Sequence, residues 1–354
     1  MKGSLMTFIA MLFVLAVASG CTSEIDSEAG DEDRGGEVEA DAVTAEAAAG
    51  SGGQPIANPD TLPRYEPEEA AGRLTLLGDI ATVGLAEDLA DRLVAATSVL
   101  GAESRSLDTT QGPNWWEFDG QAVAVLLAQP MDEAMVREFE KTMVYEPTQV
   151  RIGLDPLVVV VHRENPIAER GLALSDLRRV FGPPEVVDAV ETWGDLGLTG
   201  PWATMPVKPY GPDVSAEISR GFLGHVLRQT GYGDQVGRAP GSAEVYELVG
   251  QQREAIGYGY HSFLGQGVTA VPLARTADGE PAAPSAESVY RQAYPMVNEL
   301  YLYLNQPPDA ELDPRYRELV KLTLSRDGQR LLGDAAYIPL PAQALMPQRR
   351  ELLD

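Results

Sequence analysis

The stretch YGPDVSAEISRGF, Tyr210 to Phe222, gathers residue types that can hold an anion. Gly211-Pro212-Asp213 makes a turn, Ser215 and Ser219 offer hydroxyls, and Arg220 offers a charge. An apolar spacing through Ile218, Phe222 and Val226 predicts a helix from this point. The free N–H groups at a helix start are a natural seat for an oxyanion. Yet Asp213 and Glu217 place two carboxylates in the same turn, so the stretch reads either as a binding site or as a well-capped helix. Facing a bound oxyanion at ~4 Å, Glu217 would cost on the order of 4 kcal/mol at an effective dielectric near ~20. That outweighs two neutral hydrogen bonds at about 1 kcal/mol each. Facing solvent, it only opposes the helix dipole.

Other chemistries find little support. His162, His225 and His261 show no metal-ligand spacing. There is no Gly-x-Ser-x-Gly elbow, and GYGYHSFLGQG lacks the lysine of a phosphate-binding loop. The expectation is a binding protein without enzymatic activity, metal or cofactor. A net charge of −26 over 354 residues argues against nucleic acid as a partner.

The first residues supply an address. Lys2 precedes an apolar run from Met6 to Val17, too short to span a bilayer and right for a signal peptide. Ala18-Ser19-Gly20 then leads into Cys21, the single cysteine. This resembles a bacterial lipoprotein signal, which implies residues 1–20 as signal peptide, lipidation at Cys21 and an extracytoplasmic, membrane-anchored chain. An ordinary secretory peptide with an incidental cysteine is the alternative. Residues 21–72 read as a disordered acidic tether: between 22 and 72 there are fourteen acidic and two basic side chains.

From Arg73 strand and helix signals alternate, the mark of α/β layering. RLTLLG reads as a strand, and GLAEDLADRLVAATSVL as a helix with Leu85, Leu89, Leu93 and Ala96 on one stripe. QAVAVLLAQP is a buried-type strand, and Asp132 caps a helix that turns Met135, Val136, Phe139 and Met143 inward. Leu157 to Val161 is a strand buried on both faces. LALSDLRRVFG reads as a short helix, EAIGYGY and GVTAVPLA as strands, and two closing helices are separated at Asp327-Gly328.

Several segments match one family in order. LDPLVVVVHRENPI, ALSDLRRVFG, ETWGDLG, EAIGYGYHSF, YPMVNELYLYLNQPP and LSRDGQRLLGDAAYIPLP resemble segments of the phosphate-binding proteins of bacterial phosphate ABC transporters. The resemblance covers nearly everything after the tether. It implies the type II periplasmic-binding-protein fold, two α/β lobes joined by two crossovers with a cleft between them. Lobe one would comprise residues 73–153 plus 268–354, and lobe two 154–267. The implied ligand is phosphate or a related small oxyanion, and the implied partner an ABC transporter permease. A divergent solute-binding or sensory lipoprotein with another ligand, or none, is the alternative.

The same resemblance assigns ligand loops, which here depart from the family pattern. In GDIATV, Thr82 keeps a hydroxyl, and Asp79 reads as an added charge facing solvent. In LDTTQGPNWWEFDG, Thr109 or Thr110 would act, with Trp115 and Trp116 as packing residues. AQPM offers only the uncharged amide of Gln129 beside Ala128. In the opening stretch Lys208 or Arg220 would stand in for the family's arginine and Ser215 for its serine, the glycine and threonine being lost to Ala216, Glu217 or Ile218, with Ser219 as a further candidate ligand residue.

Overall fold

The computed structural model describes residues 61–98, 100–107, 122–214, 216–228 and 230–354, and of Glu217 the backbone alone. The signal peptide, Cys21, most of the tether, Thr109, Thr110, Trp115, Trp116 and Ser215 lie outside the described residues.

The first run of elements is β1 (Gly72–Gly78), α1 (Val83–Ala96), β2 (Leu100–Ser106), β3 (Ala122–Leu127), α2 (Glu133–Met143) and β4 (Thr148–His162). Next come α3 (Ile167–Arg170), β5 (Leu172–Ala173), α4 (Leu174–Phe181), β6 (Lys208–Pro212), α5 (Glu217–Phe222), β7 (Gly237–Ala239), α6 (Ser242–Gln251), β8 (Ala255–Tyr260), β9 (Val268–Ala270) and β10 (Leu273–Ala274). The chain closes with α7 (Ala286–Tyr290), β11 (Val297–Leu304), α8 (Pro314–Thr323), α9 (Arg326–Asp334), β12 (Ile338–Pro339) and α10 (Ala342–Leu353).

The main path of the sheet is β2-β1-β3-β11-β4-β8-β6-β7. β1 runs parallel to β2 and β3, and β6 parallel to β7 and β8. Strand β4 belongs to two halves. Thr148 to Pro156 pairs with β11, whereas Leu157 to Val161 pairs with β8 and the end of the strand with β9. Leu157 to Val161 is fully buried, as expected of a run of branched residues covered on both faces. The result is two α/β halves joined by two crossovers, β4 outward and the segment before β11 back.

Local chemistry explains most boundaries. Asp132 accepts from the Met135 N–H at 2.8 Å and starts α2, whose Phe139 is fully buried while Met135, Val136 and Met143 pack around it. Helix α1 stops at Ala96, earlier than its apolar stripe suggests: the Thr97 hydroxyl donates back to Leu93 O at 2.8 Å, and Leu100 already belongs to β2. Leu172-Ala173 pairs with β10 instead of joining α4. The break between α8 and α9 falls at Leu324-Ser325, because Ser325 Oγ accepts from Gly328 N at 3.1 Å and absorbs Asp327-Gly328 into the first turn of α9.

Candidate functional site

Parallel strands deliver their connecting loops to one side, and ligands of open α/β sheets bind in the crevice outside their carboxyl ends. A cavity of about 630 Å³ lies at that place. Asp79, Ile80 and Ala81 follow β1; Ser106 and Leu107 end β2; Ala216 and Ile218 follow β6; Pro240 to Glu244 follow β7; Tyr260 ends β8. Both halves of the molecule therefore contribute. Ile80 is 66% exposed, a large apolar side chain left in the open at this cavity. A Cβ on Gly241 would lie 3.4 Å from Ile80 Cδ1, so the two walls stand close together. A second depression, between α1 and α9, is lined by Asp88, Asp91, Arg92 and Asp327 among others; it sits on the helical face, away from the strand ends. Among the described residues, no group of three or more His, Cys, Asp or Glu is arranged to hold a metal.

Asp79 organises the β1 wall. Gly78 permits the sharp exit from the strand, since a Cβ there would lie 2.5 Å from Val83 Cα. Asp79 then turns inward and is only 5% exposed. Its Oδ1 accepts from Ala81 N at 2.9 Å, Thr82 N at 2.9 Å and Thr82 Oγ1 at 2.8 Å. Its Oδ2 accepts from Ala128 N, in the loop after β3, at 3.3 Å. The solvent-facing position expected of Asp79 is therefore corrected: backbone donors from two loops outbid water for its oxygens. Burial pushes its carboxyl above the usual range, and these hydrogen bonds, which favour the charged form, offset part of that effect.

A second buried carboxyl, Asp155, sits where β4 passes between the halves. It accepts from Ser262 Oγ at 2.6 Å and Ser262 N at 3.1 Å. Burial raises it to about 7, with the Ser262 hydrogen bonds pulling down and the charge of Asp79 adding to the rise. Tyr337 donates its hydroxyl to Ala81 O at 2.5 Å; burial, then Asp155 and Asp79, hold its proton on.

The side chains singled out in the sequence take other positions. Thr82 is 1% exposed, its hydroxyl lying between Asp79 and Leu126 O at 2.7 Å, so it supports Asp79 and does not line the cavity. Gln129 Nε2 donates to Tyr260 Oη at 3.1 Å, a link from the loop after β3 to the end of β8. Ser219 is fully buried; its Oγ lies 3.1 Å from Pro212 O and 3.0 Å from Tyr258 Oη. Arg220 is exposed on α5 and is not among the residues lining the cavity. Lys208 pairs with Glu254 at 2.8 Å on the far end of β6. Missed in the sequence were Tyr260, Phe263 and Glu244 as lining residues, and Asp79 as the organiser. For Asp79 a signal existed: an aspartate directly after a strand, able to accept from the N–H groups two and three residues on.

A family model described as a PBP superfamily domain matches residues 117–322. The phosphate-binding protein PstS of Pseudomonas aeruginosa is 32% identical over 237 residues, 66% of this chain and 73% of that one. Among solved structures, an ABC-type phosphate transport receptor from Vibrio cholerae superposes with a TM-score of 0.56 at 12% identity, over 76% of this chain and all of that one. A substrate-binding protein from Clostridium perfringens solved with bound phosphate gives 0.59 at 18%, again over 76% and 100%. The fold is thus that of the periplasmic binding proteins, and this chain belongs to the PBP superfamily, in the family of the phosphate-binding protein PstS.

Proposed function

We propose that this chain is the solute-binding component of an ABC importer, held outside the cytoplasm by a lipid on Cys21, and that it binds a small solute without catalysing a reaction. The supporting observation is the cavity of about 630 Å³ at the carboxyl ends of β1, β2, β6, β7 and β8, lined from both halves of the molecule. The two halves serve as lobes that close on the solute by hinge rotation. The expected division gave residues 73–153 and 268–354 to lobe one and 154–267 to lobe two. Pairing of Val268–Ala270 with β4 and of β10 with β5 favours assigning 268–274 to lobe two as well.

Between phosphate and another solute, one observation favours the second reading. Neither Thr82 nor Ser219 turns its hydroxyl into the cavity, and the donors nearest its β1 wall are engaged by Asp79. A thermal-shift screen of the full chain with a solute library tests the binding role. A true solute at ~100 times its Kd stabilises by about 2.7 kcal/mol. Ala216→Trp, which fills the cavity, should abolish that shift. A screen in which no solute stabilises the chain, or in which Ala216→Trp leaves the shift unchanged, contradicts the proposal.

A further inference from the structure

We infer that Asp79 is an internal oxyanion: its carboxylate occupies an anion seat built by two loops, so the cleft excludes phosphate and selects a solute that carries no negative charge. The inference rests on the cleft being the solute site.

Its basis is the convergence of donors. Ala81 N, Thr82 N and Thr82 Oγ1 come from the loop after β1, and Ala128 N comes from the loop after β3, forty-six residues later than Thr82. Donors from separate loops meeting on one point, at the start of the fourteen-residue helix α1, are the arrangement that holds a tetrahedral oxyanion. Here the occupant is covalently part of the chain. Its position is fixed by Gly78, which lets the backbone fold over Val83, and by the buried Thr82 beneath it.

Two consequences follow for a ligand. The donors are already engaged, so an incoming oxyanion gains no hydrogen bond from them without expelling Asp79. The seat also carries its own charge, so a phosphate placed against it meets a like charge. The rest of the cavity agrees in character. Its charged members among the described lining residues are Asp79 and Glu244, both acidic, and Ile80, Leu107, Ile218, Pro240 and Phe263 give it an apolar wall. A neutral or cationic solute with an apolar face complements that surface.

The test is calorimetric titration of the detergent-solubilised full chain with inorganic phosphate, comparing wild type with Asp79→Ser. Serine keeps a small polar side chain, removes the charge and leaves only a neutral hydroxyl, shorter than the carboxylate, facing the seat's donors. Wild type should show no saturation at millimolar phosphate. Asp79→Ser should bind it, with an association constant higher on the order of 10³-fold, the equivalent of removing a like charge at about 4 Å. Saturable phosphate binding by wild type overturns the inference, and so does a folded Asp79→Ser that binds no better than wild type. Circular dichroism establishes folding; if Asp79→Ser does not fold, the wild-type titration still decides, since saturation overturns the inference and its absence upholds it. Phosphate binding by wild type would leave the solute-binding role standing, whereas failure of every solute in the thermal-shift screen would remove that role, so the two failures are distinguishable.

Discussion

Two loops in which the sequence offered anion donors fold to opposite ends. After β1 the donors converge and hold a carboxylate. Along α5 they part company: Ser219 ties Pro212 to Tyr258 within the core, beside Phe222 stacked on the Tyr258 ring at 3.9 Å between centroids, while Arg220 stays exposed. The first loop retains the geometry of an anion site and fills it from within. The second has turned the Ser219 hydroxyl into the core. The contrast teaches that hydroxyls and helix starts do not define a ligand site; what matters is where the donors point and whether another group of the chain has reached them first.

The comparison predicts different responses to substitution. The largest effect belongs to the α5 region. Phe222 is fully buried and also meets Phe181 edge-on at 5.1 Å, so Phe222→Ala should cost about 3–5 kcal/mol in urea unfolding. A loss below about 1 kcal/mol would show that this face of α5 is not core.

Next is the pH dependence set by Asp155. Its carboxyl is raised from 3.8 to about 7 by burial, so the folded state binds the proton more tightly than the unfolded chain. Its contribution is therefore most favourable below pH ~4 and is lost progressively as pH rises through about 7. At 1.36 kcal/mol per unit the full swing is on the order of 4 kcal/mol. Asp155→Asn, with no proton to lose, should flatten the fall in Tm between pH 5 and 8; an unchanged slope would assign the dependence elsewhere.

Asp79→Ala should lose on the order of 2 kcal/mol, since three N–H donors lose their acceptor while water enters at the cavity edge. Sulfate should restore part of that loss by seating itself on the donors, whereas equal destabilisation with and without sulfate would mean they form no seat. Smallest is Gln129→Ala, which removes one neutral, partly exposed bond to Tyr260 and should cost at most about 1 kcal/mol by the same unfolding assay.

Much of the fold was legible because it rests on patterns with one physical meaning. Leu157 to Val161 is too apolar for anything but a doubly covered strand, and Asp132 reads directly as a cap. The short strands β6 and β7 carry no such pattern; Lys208-Pro-Tyr-Gly-Pro212 is strand only because β8 lies beside it. The site was less legible, since it depends on long-range convergence. Nothing local to AQPM shows that Ala128 N meets Asp79, and nothing in ISRGF shows that Ser219 points at Tyr258. Residue types identified the loops, while tertiary contacts decided what each loop does.

The most direct measurement follows the backbone amide resonances of Ala81, Thr82 and Ala128 while phosphate is added to the wild-type chain. The account predicts that all three stay in place at millimolar phosphate, their protons already committed to Asp79. Concerted, saturable movement of the three would show that phosphate takes the seat and would contradict it.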